Sequence, residues 1–529
     1  MRIIAAAAAA TLLASAAHAA EVPANLSPVD LDLTGAPIAR NIADRMQLGA
    51  VERAQRSNFA AAPIPGWTVT QVGNYVILQD DGTHGCSTLD MNSGTGFDTC
   101  IGGGTNAGGG STGAIDAFYA AFPGANPGYI ATYLGWDTGA FGAFYAPIAS
   151  DTKGIGQKHF TGSDTFGDPT GLNGWIFMNS IQMYNGFGAS NQQLLFDLIW
   201  GQEFEHRWAA FVHFDDHGTD SKALIGRQDA HWSWFMDTNW SWMEGNSWKE
   251  SGNSFTTDFD VFSLSKSHKC DMDLYLMGLI PASAVKDFML ITNPTGGHQA
   301  GDTPQFMAGG PATITGVKKM ISVKDVIKAE GERSPDFTAQ PRNSQVATLV
   351  ILRPADDPND VTLRATMQQF TDGETSLFAL ETHDLGHVTT DIGAMPANLA
   401  PVAAFTAPAT AKQNGAEVTL DASGSTDSDG IVKGYVWDFG DGSGDFLTGK
   451  VVSHKFLKSG PTTVTLTVVD DLGGAATTTQ SLDVAAAPKD DGLLGCGCDL
   501  AAGAHVNPFA AMLLTAFGLV GLGARRRNA

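Results

Sequence analysis

Cysteine is scarce, five among 529 residues, too few to build the fold from disulfides. Cationic side chains are also in short supply: 31 Lys and Arg stand against 55 Asp and Glu, a formal net charge of -24. No basic stripe runs along the sequence to follow a phosphate backbone, so nucleic acid is not expected as a partner. Apolar runs of membrane length are missing from the interior; a shorter one opens the chain and a longer one lies near its end. There is no G-x-S-x-G elbow, Walker loop or dinucleotide fingerprint in a suitable context, which removes the chemistries those turns support.

What the ends do carry is ordered. Met1-Arg2, an Ala/Ile/Leu stretch from Ile3 to Ala14, and Ala17-His18-Ala19 follow the charged, apolar and small-residue sequence of a secretory signal, with cleavage after Ala19. Residues 20–62 are mixed and Pro-punctuated, a leader. At the far end Gly495-Cys496-Gly497-Cys498 leads into an apolar run, Pro508 to Ala524, closed by Arg525-Arg526-Arg527. The run is just long enough to span a bilayer, and the arginines would stay cytoplasmic. This order resembles the MYXO-CTERM class of sorting signals, which implies that Cys496 or Cys498 is the attachment point. A plain single-span anchor is the alternative.

Between the ends, Trp67 to Thr70 and Tyr75 to Leu78 are β-rich runs joined through Gly73-Asn74, and Val346 to Leu352 reads as a buried strand. Cys86 and Cys100 flank a polar, Gly-rich loop and, in an oxidising compartment, are expected to pair; Cys270 is then a buried small hydrophobe. Residues 401–486 change character, with short β-runs separated by Gly, Asp and Ser turns. Asp421 to Ser425, Trp437-Asp438-Phe439-Gly440-Asp441-Gly442 and Val464 to Val468 are similar to the PKD family, which implies an immunoglobulin-like sandwich used for spacing or binding. Asp421, Asp427 and Asp429 are read as turn formers, with a weak calcium site as the alternative.

One long segment, Gln192 to Phe214, has helical period, and Leu195, Ile199, Gln202, His206, Ala209 and His213 fall along one face. An amide and imidazoles on a buried stripe need a metal or a polar network as partner. Gly201-Gln202-Glu203-Phe204-Glu205-His206 looks like the zinc-peptidase helix H-E-x-x-H with its first histidine replaced. The resemblance implies Glu203 as catalytic base, His206 as a zinc ligand and Gln202 in the first-ligand place, where a neutral amide oxygen is a poorer ligand than imidazole. Glu205 stands beside His206 and either binds metal or raises the imidazole pKa.

Further blocks extend the likeness to a group of secreted bacterial proteins with an H-E-[FL]-G-H-R-W motif and a downstream A-H-W. They are Gly154-Ile155-Gly156, Leu224 to Arg227, Ala230-His231-Trp232-Ser233, Met243 to Asn246 and Asp273 to Leu279. Within this pattern His231 is the third-ligand candidate, with Asp229 and Glu244 weaker ones. Trp232, Trp234, Trp240, Trp242 and Trp248 read most simply as core, and an exposed subset would suit sugar rings or peptide side chains.

The expected architecture is therefore multidomain. An α+β zincin-like large domain, residues 63–395, precedes an all-β immunoglobulin-like PKD sandwich, 401–486, a linker with the Gly-Cys motif, 487–507, and a C-terminal transmembrane sorting segment, 508–529. The expected function is that of an exported, surface-anchored zinc-metallopeptidase-like protein impaired at its motif. The alternative is a non-catalytic surface protein that binds an extracellular protein or polymer. Mass spectrometry of the native protein is expected to find an N-terminus near Ala20 and the chain retained at the cell envelope. An intact initiator methionine, or free release with the tail still attached, would contradict this.

Overall fold

The hairpin forecast for the start of the large domain is formed by strands Trp67–Val72 and Tyr75–Asp80, paired antiparallel. Its turn passes through Gly73 at φ 58°, where a residue without Cβ meets no steric cost. The computed structural model describes residues 64–487 except 92, 103–112, 158–170, 188, 240, 259–268, 306–309, 394–396 and 444–445. The signal sequence, the leader, Cys496, Cys498 and the apolar tail lie outside the described residues. Among the described residues no helix is long and apolar enough to cross a membrane.

From the hairpin the sheet continues with Asn343–Leu352, Tyr129–Leu134 and Gly174–Ser180, each parallel to its neighbour, and ends on the antiparallel edge strand Phe144–Pro147. A parallel centre is covered on both faces, which is why Val346 to Leu352 is apolar but for Thr348. Side-chain alternation sends Ile77, Tyr133, Met178 and Val350 to one core, and Leu78, Leu134, Phe177 and Ile351 to the other. Two long helices, Ala189–Glu205 and Val361–Glu381, cover the first face, with Phe196 and Phe370 stacked at 3.9 Å. The second face is closed by Ile115 and Phe118 of helix Ala114–Ala121 and by the loop that the Cys86–Cys100 disulfide pins.

Two sequence expectations about helices are corrected. The helix around Gln202 ends at Glu205 rather than running to Phe214. After it, Arg207 and Trp208 make tight backbone bonds to Phe204 and Glu205, and Ala209, Ala210 and Val212 go into the core. His213 is therefore not on the helical stripe, and pairs with Asp220 at 2.9 Å. No breaker residue marks this end, because tertiary burial overrides the local pattern. Nor is this the only long helix: Val361–Glu381 is longer. Its pattern is weakened by Gly373 and by threonines, and by Glu374 and Glu381, which are buried.

A second, four-stranded sheet holds Trp232–Asp237 and Glu244–Asn246 beside Phe288–Thr292 and Val317–Ile321. Trp232, Trp234, Trp242 and Trp248 are all buried, so these four are core and offer no stacking face. Cys270 is buried with its thiol pKa pushed up by desolvation, an inert environment.

The C-terminal part is a β-sandwich, so the described chain is β-rich and multidomain. Its main sheet runs Thr410–Lys412, Ala475–Ala485, Gly460–Asp470, Val432–Asp438 and Phe446–Thr448, and Val418–Asp421 pairs with Val451–His454. Trp437 and Phe439 enter one core with Leu466 and Val468, and the indole N–H of Trp437 donates to the Gly449 carbonyl at 2.9 Å. His454 stacks on Phe439 at 3.7 Å and meets Asp441 at 3.1 Å. Burial alone would raise the Asp441 pKa, but hydrogen bonds from Leu457, His454 and Ser443 outweigh it and bring it to about 2. Trp437→Ala is expected to cost roughly 3–5 kcal/mol in chemical denaturation of residues 398–486 expressed alone. A segment that is disordered when isolated would refute a self-sufficient core.

Candidate functional site

The helix Ala189–Glu205 reaches its last turn with Gln202, Glu203 and Glu205, and His206 closes that turn by donating its backbone N–H to the Gln202 carbonyl at 3.2 Å. Glu203, Glu205 and His206 are buried. The imidazoles of His206 and His231 lie together, ring centroids 4.9 Å apart and planes at 88°. His231 Nδ1 donates to the Arg227 carbonyl at 3.1 Å. A carbonyl only accepts, so in the neutral ring Nε2 carries the lone pair, as a metal-binding imidazole requires.

Gln202 is engaged by a neighbouring carboxylate. Its amide nitrogen donates to Glu244 Oε1 at 3.3 Å, and Glu244 is held by Arg227, whose Nε donates to Oε1 at 3.0 Å and Oε2 at 2.7 Å. Arg227 and Glu244 are both buried, and a closed bidentate pair of this kind satisfies the charge of each partner. Glu244 is thus engaged as an anchor for Arg227 and Gln202. Asp229 is exposed. Gln228, Asp229 and Glu244 all have positive φ, 58°, 56° and 80°, and such strained non-glycine positions concentrate at functional sites.

Glu205 also departs from expectation. Its carboxylate meets Lys269 Nζ at 2.6 Å, and Lys269 meets Glu381 at 3.1 Å, all with no exposed side-chain surface. Burial, helped by Asp273, pushes the Glu205 pKa well up against the pull of Lys269. Burial alone would lower the Lys269 pKa, but Glu205 and Glu381 hold it raised. Asp273 accepts from the Trp232 indole at 2.7 Å and from Ser241 at 2.6 Å. Lys269 belongs to no motif and Arg227 has no evident role in the sequence, although Arg227, His231, Glu244 and Asp273 all lie in the short blocks quoted above.

Zinc needs three or more protein donors around one point. His206 and His231 suit two of them. Gln202, the third expected, gives its amide nitrogen to Glu244, and among the described residues no group of three or more His, Cys, Asp or Glu is arranged to hold a metal ion. In the sandwich, Asp421 caps its own turn through Ser423, while Asp427 lies near Asp429 and Asp470 with its pKa raised, chiefly by burial. Among the described residues Asp421, Asp427 and Asp429 are not arranged as a metal-holding group.

Residues 398–486 match the PKD domain family, so the module begins at Asn398, slightly before the boundary read from the sequence. The chain is similar to the collagenase ColA of Clostridium perfringens, 40% identical over 68 residues, 13% of this chain and 6% of that protein. It is 38% identical over 100 residues to the pre-pro-metalloprotease PrtV of Vibrio cholerae, 19% of this chain and 10% of that protein. The chain thus spans a tenth or less of the length of these curated relatives. Among solved structures, the PKD1 domain of Vibrio anguillarum Epp is 36% identical, with 17% of this chain and 100% of that chain covered at a TM-score of 0.15. The PKD1 domain of Vibrio cholerae PrtV is 36% identical over 16% of this chain and 99% of that chain, also at 0.15. The shared part is the PKD module, which is homologous to modules of metalloproteases.

The site helix also carries Asp197, a buried acid near Glu374 of helix Val361–Glu381. Glu374 accepts from Tyr133 and, at 2.8 Å, from Thr348, and Asp197 accepts from Gln193. Burial, with a smaller contribution from the neighbouring acid charge, pushes both carboxyl pKa values up to about 7, from 4.5 for Glu374 and 3.8 for Asp197. A folded pKa above the unfolded one means that the native state holds its protons more tightly, so stability falls as pH rises from about 4 to about 7 and is level beyond. Glu374→Gln is expected to remove on the order of 3 kcal/mol of that fall. Urea denaturation of the full chain at pH 5 and pH 7.5 checks it, and an unchanged difference between the two pH values would contradict the assignment.

Proposed function

We propose that the large domain is a zincin-like metallopeptidase scaffold whose motif is impaired at Gln202, weakly active or inactive, on an exported and surface-anchored chain with a PKD module. The observation that carries this reading is the His206–His231 pair, 4.9 Å between ring centroids, at the end of the helix that bears Glu203. The His231 tautomer, set by the Arg227 carbonyl, also supports it. Export is supported by the signal-like start of the chain and by a PKD module shared with proteins named as a pre-pro-metalloprotease and a collagenase.

Gln202 is the residue on which the reading turns. An imidazole there would sit one helical turn before His206, with the Glu244 carboxylate beside it as the outer partner that metal-binding histidines use. Calorimetric zinc titration of the full chain should show weak or no binding in the wild type and clear tightening in Gln202→His. The gain of a direct ligand should exceed the roughly 10–100-fold that outer partners alone contribute. Equal, negligible binding by both proteins would mean that the two histidines do not frame a metal site. The chain would then be better described as a surface protein that binds an extracellular protein or polymer without catalysis.

A further inference from the structure

A spacer module would hang from the preceding domain by a linker, with its own surface polar. The PKD module here is seated. Val436 and Val469, from its two central strands, are buried in the large domain's core with Leu385 and Val388. At Gly434 a Cβ would lie 2.4 Å from the Asp384 carbonyl oxygen, a separation that leaves no room for any side chain. Two side-chain hydrogen bonds cross the same boundary, Ser283 Oγ to Asp438 Oδ2 at 3.1 Å and Asn343 Nδ2 to the Leu472 carbonyl at 3.2 Å.

The large-domain part of this contact is the turn that follows helix Val361–Glu381. The turn is stiff: Thr382 Oγ1 donates to the Phe378 carbonyl at 2.7 Å and accepts from the Gly386 N–H at 3.2 Å. Its first neighbour is Glu381, whose carboxylate pairs with Lys269 and whose carbonyl accepts the Lys269 N–H at 3.2 Å. Lys269 in turn grips the site helix twice, through Glu205 at 2.6 Å and the Gly201 carbonyl at 3.3 Å. Glu205 precedes His206. A continuous run of buried contacts therefore leads from the PKD strands to the candidate site.

We propose that the docked PKD module is a clamp that fixes the C-terminal end of the site helix through Leu385, Glu381, Lys269 and Glu205. Buried ion pairs are unforgiving links for such a role, because displacing one member leaves the others charged in an apolar medium. The clamp acts on the helix end itself, whether or not His206 and His231 bind a metal. Its failure and that of the metallopeptidase reading are thus separate results.

Hydrogen exchange with mass spectrometry on the full chain tests it. Gly434→Val pushes a side chain into Asp384 and unseats the module from the turn. Amides of residues 382–387 and of 199–208 are then expected to exchange about tenfold faster, while those of 462–468, inside the sandwich, keep their wild-type rate. Faster exchange at 382–387 with 199–208 unchanged would overturn the proposal. Should that variant not fold, Glu381→Gln breaks the relay inside the large domain and leaves the docking surface intact. It is expected to speed exchange at 199–208 alone, and wild-type rates there would overturn the clamp equally.

Discussion

Lys269 joins the two long helices from a place without solvent, between Glu205 of one and Glu381 of the other. Removing one cation and two carboxylates from water costs several kcal/mol per ion unless all are matched, so the surrounding chain has little freedom to drift. The helices must keep their spacing, Lys269 must stay between them, and Asp273 must stay close enough to add its charge while it accepts from Trp232 and Ser241. The positions of His206, one residue after Glu205, and of His231, one residue before Trp232, follow from that arrangement.

The buried charges around this point divide into closed groups. Arg227 with Glu244 and Gln202 makes one, Lys269 with Glu205 and Glu381 another, and Glu374 with Tyr133 and Thr348 a third. Each answers the rule that a polar group leaves water only with a partner. Two of them, those of Glu244 and Lys269, meet the last turn of the site helix through Gln202 and Glu205. The amide nitrogen of Gln202 completes the group around Glu244. An interior this rich in ionisable groups gains uniqueness of packing more than raw stability.

Much of the frame was legible in the sequence because it depends on neighbours along the chain. The hairpin at Gly73, the buried run ending at Leu352, the Cys86–Cys100 pair and the alternation of Trp437 and Phe439 are local patterns with local causes. The end of the site helix was not legible, since nothing in Arg207-Trp208-Ala209-Ala210 breaks a helix; the chain leaves it because those residues are wanted in the core. Lys269 was not legible either. A single lysine before Cys270 has no pattern, and its meaning comes from carboxylates on two distant helices. Of the candidate site, the motif and the block containing His231 pointed to the pair of histidines, whereas the Arg227–Glu244 lock needed the fold.

Gly434 has an implication for how such a chain can be assembled. PKD modules are readily thought of as interchangeable beads, moved between proteins by recombination of gene segments. A replacement module with any larger residue at the position of Gly434 would collide with the Asp384 carbonyl before its valines reached Leu385. This one is a fitted part, and lineages that carry the pair would be expected to inherit both halves together.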